Sequence, residues 1–88
     1  MAHKKELIDG ESPQKTGVDA SLLRYDSLGK FLDGMSDGLE FQAIKDKVKD
    51  RPKLSELGVR AAEKIREAAE IVDEMWRISE PHMEDGDK

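Results

Sequence analysis

Cysteine is absent from the chain, which excludes a disulfide framework and any thiolate metal centre. Aromatic residues are scarce, with two Phe, one Tyr and one Trp, so the large side chains that dominate small cores are few. Nowhere does the sequence approach the ~20 consecutive apolar residues of a membrane-spanning helix. Behind Lys4 and Lys5 no apolar run follows, so no secretory signal is expected and a cytoplasmic location is the default. His3 and His82 are the only histidines and lie near opposite ends. No metal or cofactor is therefore expected, and the serines of the body lack the neighbouring base that nucleophilic catalysis needs. Gly34 and Gly38 fit neither the P-loop nor the dinucleotide spacing. With 88 residues there is little room for a closed pocket. An enzyme is not expected.

What the sequence does have is charge. Twenty acidic residues face fifteen basic ones, for a net charge of −5. Residues 1–19 and 20–50 each carry −1, residues 51–79 are balanced, and the last nine hold −3. A negative balance repels phosphate backbones and anionic lipid, so nucleic acid and membrane are disfavoured as partners.

Residues 1–18 contain Gly10, Pro13 and Gly17 with few branched apolar residues, and are expected to form a flexible arm. Residues 19–79 are expected to form one helical domain, and residues 80–88 a disordered acidic tail. Within the domain, apolar spacing predicts a first helix from Asp19 to about Leu32, stopped by Gly34. A second is predicted over residues 38–49, capped by Asp37 and ended by Pro52. The third is expected to start at a Ser55 cap and to run until Pro81 blocks it near Ser79. The fold class predicted is all-α, with three helices and a long amphipathic C-terminal one.

That third helix is cleanly two-faced. At 100° per residue, Leu57, Ala61, Ile65, Ala68, Val72 and Met75 form one seam, which Leu54 extends toward the N-terminus at heptad spacing. Ala62 and Ala69 stand on its shoulder. Ile71 and Ile78 suggest a second contact strip, and Trp76 is either an anchor at an interface or a partly buried core residue near the helix end. Two helices of ~12 residues reach only ~18 Å each. Part of the seam, above all the Met75–Trp76–Ile78 end, is thus expected to need a partner chain. Opposite lie Glu56, Glu63, Glu67, Glu70 and Glu74, an acidic ridge that is either a docking face for a basic partner or an ordinary solvated surface.

The stretch Glu56 to Ile65 resembles the second half of a helix-hairpin-helix DNA-binding motif through Leu57, Gly58, Ala62 and Ile65. Glu56 departs from it, standing where the motif has a glycine that lets backbone approach phosphate. The function expected from the sequence is a small protein–protein interaction module (adaptor, regulator or inhibitor) that self-associates as a homodimer or binds a protein partner. Leu54, Gly58 and Val59 likewise resemble a helix-turn-helix, so two alternatives are a nucleic-acid-binding regulator using a degenerate helix-hairpin-helix or helix-turn-helix segment at residues 55–66 and a structural subunit of a larger assembly.

Overall fold

The computed structural model describes the backbone of residues 3–86 and the side chains of residues 3–82. It is all-α, with helices α1 (Pro13–Ser21), α2 (Tyr25–Val48) and α3 (Pro52–Gly86). The long amphipathic C-terminal helix is present and unbroken. Positions 87 and 88, the end of the expected acidic tail, lie outside the described residues, as do Met1 and Ala2.

Several boundaries differ from the sequence expectation. The two short helices expected over 19–32 and 38–49 are one helix, α2, that passes through Gly34, Asp37 and Gly38. Each interior glycine costs ~1 kcal/mol of helix propensity, but packing along the whole length of α3 outweighs it. Part of the expected arm is helical: Ser12 caps α1, its side chain accepting from the Lys15 N–H at 3.2 Å, and Pro13 opens the helix where its missing N–H is harmless. At the other end α3 continues through Pro81, which withholds one backbone donor but does not stop the helix.

The α2–α3 connection is a tight reversal. Asp50 adopts φ 61°, the Arg51 N–H donates to the Asp46 carbonyl at 2.9 Å, and the Asp50 N–H donates to the Lys47 carbonyl at 3.0 Å. This pair of bonds is the Schellman pattern. Pro52 then opens α3, as its position just past the stop of α2 leads one to expect.

Helices α2 and α3 run antiparallel with a seam of small residues. Gly29, Ser36 and Ala43 of α2, each seven apart, face Ser55, Gly58, Ala62 and Ala69 of α3. The fit is close. A Cβ on Gly58 would come within 3.3 Å of Ala43 Cβ, and one on Gly29 within 2.5 Å of Asp73 Oδ1. Two buried hydroxyls stitch the pair: Ser36 donates to the Ala62 carbonyl at 2.8 Å, and Ser55 to the Ala43 carbonyl at 2.7 Å. Ser55 is thus not the cap of α3 but a cross-helix donor one turn inside it.

The α2-facing seam is offset by one residue from the seam expected for the third helix. Ala62 and Ala69 are buried, whereas Ala61, Ala68, Leu54, Leu57 and Met75 remain exposed and Ile65 and Val72 are half-buried. The shift has a steric cause. Serine hydroxyls reach carbonyls of the opposite helix only when the backbones are close, and the series through Ser55, Gly58, Ala62 and Ala69 offers the flatter surface.

Candidate functional site

This packing leaves the hairpin with little interior. Among the described residues the buried apolar side chains are Ala43, Ala62 and Ala69, while Phe31, Met35, Leu54, Leu57, Ile71, Met75 and Ile78 are exposed. The Cα radius of gyration is 15.8 Å, against about 12 Å for a compact chain of this length, and the Cα extents are 53 × 30 × 14 Å. The accessible surface is 7058 Å², where a compact 9.9 kDa monomer exposes about 5,200 Å². Stable domains ordinarily stack two layers of secondary structure. Here a thin slab of helix carries apolar residues outward.

The two flanks of the α2–α3 contact differ in character. One is marked by Arg66, which donates through Nη2 to Asp37 Oδ1 at 3.0 Å and to Glu40 Oε1 at 3.1 Å. The hydrogen bond from Arg66, with its charge, holds the Glu40 carboxyl below its usual range, and Glu40 in turn raises the guanidinium. From the buried Ala62 and Ser36, the turn of each helix that leads to Arg66 and Asp37 leads away from Ile65 and Met35. The other flank therefore gathers Leu28, Phe31, Leu32, Met35 and Leu39 from α2 with Leu54, Leu57, Ala61, Ile65, Ala68, Val72 and Met75 from α3. That is one continuous apolar face built from both helices.

The residues singled out in the sequence fall as follows. Leu54, Leu57, Ala61, Ile65, Ala68, Val72 and Met75 lie together on the outward face. Trp76 does not join them. It is half-buried at the helix end, with the Arg24 guanidinium 5.2 Å from its ring centroid. Arg24 is fixed in turn by Asp26, whose carboxylate accepts from Nε at 2.7 Å and is held below its usual range by that bond. Glu56, Glu63, Glu67, Glu70 and Glu74 are all exposed, Glu56 pairing with Lys53 at 3.3 Å and Glu67 with Lys64 at 3.7 Å. Residues 55–66 are uninterrupted helix, with Ser55, Gly58 and Ala62 turned into α2. The glycine there serves close packing rather than a hairpin turn beside phosphate.

Sequence reasoning missed the α2 half of this face, because splitting α2 hid that Leu28, Leu32, Met35 and Leu39 share one helix. Their spacing of four, three and four was the available signal. A separate open groove of about 500 Å³ lies between His3 and Lys4 of the N-terminal segment and Phe41, Gln42, Lys45 and Lys49 of α2. Among the described residues no cluster of three metal-ligating side chains occurs, and no helix is long and apolar enough to cross a membrane. Comparison with known protein families, curated proteins and solved structures finds no match.

Proposed function

We propose that this chain is a non-enzymatic protein–protein interaction module, an adaptor, regulator or inhibitor that works by presenting the apolar face of its α2–α3 hairpin and self-associates through it. The observation that carries this reading is the mismatch between inside and outside: among the described residues the buried apolar side chains are three alanines, while leucine, phenylalanine and methionine side chains stand on one flank. Contiguous apolar patches of this kind mark interaction surfaces, and a chain this small gains from added burial. Two of the serines also have structural roles. Ser36 and Ser55 are committed to carbonyls of the opposite helix and are buried.

Sedimentation equilibrium tests the reading. The wild type is expected to be dimeric at micromolar concentration, and Met35→Glu, which puts a carboxylate on the face without touching the α2–α3 seam, is expected to be monomeric and still helical by circular dichroism. A wild type that stays monomeric throughout overturns self-association.

A further inference from the structure

The outward stripe of α3 is a palindrome. Read from its N-terminal end it runs Leu54, Leu57, Ala61, Ile65, Ala68, Val72, Met75: large, large, small, large, small, large, large. Six of the seven pair by reflection, Leu54 with Met75, Leu57 with Val72 and Ala61 with Ala68, and all three pairs share one midpoint, between Lys64 and Ile65, with Ile65 beside it unpaired. Such an order has no consequence for packing on α2, which uses the neighbouring series. It has one for an isologous contact, in which residue i meets residue j and j meets i.

An independent check comes from α2. The bonds Ser36–Ala62 and Ser55–Ala43 fix which residues of the two helices lie level. Carried across them, the midpoint of the α3 stripe falls between Asp33 and Gly34 of α2. About that point Leu28 mirrors Leu39 and Leu32 mirrors Met35, four of the five apolar residues that α2 contributes to the face, while Phe31 mirrors Ser36 and stands outside the symmetry. The two stripes thus give the same centre of symmetry.

We infer that the face binds a second copy of this chain, hairpin on hairpin, with a two-fold axis crossing both helices at Lys64–Ile65 and Asp33–Gly34, so that α3 lies antiparallel on α3 and α2 on α2. The inference rests on the self-association proposed above and specifies its geometry. The alanines meet near the axis and allow close approach of the two α3 helices, while Leu54 against Met75 and Leu57 against Val72 fill the wider space on either side. Size agrees. A face about 32 Å long and 18 Å wide gives about 600 Å² on each copy, at the low end of stable interfaces.

Because the chain has no cysteine, single cysteines report the register directly. Ala61→Cys and Ala68→Cys are each exposed and should fold. Mixed in equal amounts under a mild oxidant, they are expected to give the 61–68 disulfide in excess, roughly five-fold over either like pair, since like residues sit about 10 Å apart along the helix and disulfides need Cα atoms within about 7 Å. A sample that sediments as a dimer but cross-links 61 to 61 and 68 to 68, or shows no preference, overturns this register and leaves self-association standing. A sample that sediments as a monomer overturns both.

Discussion

Two adjacent alanines of α3 provide the sharpest test of the packing. Ala62 is completely buried against α2, while Ala61, one position away, faces outward. Replacing Ala62 by Leu inserts three carbons where the Ser36 hydroxyl spans the gap to the Ala62 carbonyl in 2.8 Å. Overpacking of this kind costs about 1–3 kcal/mol. Separating the helices also stretches the Ser36 and Ser55 bonds, each contributing about 1 kcal/mol. The expected loss is about 2–4 kcal/mol, a large share of the stability of a small domain. Ala61→Leu adds the same carbons to an exposed site of similar helix propensity and should leave intrinsic stability within about 0.5 kcal/mol. Urea unfolding followed at 222 nm, repeated over a dilution series and extrapolated to the dilute limit, separates this from any effect on self-association. If Ala61→Leu proves as damaging as Ala62→Leu in that limit, the assignment of the inner seam is wrong.

Glycines outside the seam should behave oppositely. Cβ atoms placed on Gly34 and Gly38 meet nothing within 4 Å, so Gly34→Ala and Gly38→Ala should each stabilise by about 0.5–1 kcal/mol, seen as higher urea midpoints; no gain would mean that α2 is broken there. The Arg66–Glu40 pair predicts an acid limb. Because the folded-state carboxyl lies below its ordinary value of 4.5, its contribution is complete above that pH and is lost as pH falls through the depressed value. Glu40→Gln should flatten the fall of the urea midpoint on acidification, and an unchanged profile would show the pair to be idle.

Much of this architecture is legible from residue order, and the failures have definite causes. The two-faced character of α3 follows from the 3.6-residue period, although the helix starts at Pro52 and runs past Ser79 to Gly86, and Pro52 places the end of α2 within one residue of Val48. Gly34 and Gly38 mislead because propensity is local, while α2 is held along its length by Ala43, Ser36 and Gly29 fitting Ser55, Ala62 and Asp73, residues distant in sequence. Ser12 followed by Pro13 is an ordinary helix start that the surrounding glycines obscured. The roles of Ser36 and Ser55 could not be read, since a hydroxyl aimed at the opposite helix looks in sequence like a cap or a solvated residue.

The one-residue offset of the seam carries the functional argument. Helix α3 contains two heptad series side by side, Leu54–Ala61–Ala68–Met75 and Ser55–Ala62–Ala69–Trp76. Periodicity shows both and cannot rank them, because each has alanine at its centre. The second is chosen because Ser55, Ala62 and Ala69 are small or hydrogen-bonding and let the two backbones come within reach of a serine hydroxyl. That choice has an unavoidable counterpart. An inner seam of Gly, Ser and Ala buries little apolar area, so the hydrophobic contribution from it alone is small, and the leucines and methionines that would have supplied more are turned to the outer flank. The closeness of α2 to α3 and the exposure of the palindromic face are therefore one structural fact: any change that opened the inner seam enough to draw Leu57 and Met75 inward would dismantle the surface on which a second copy can sit.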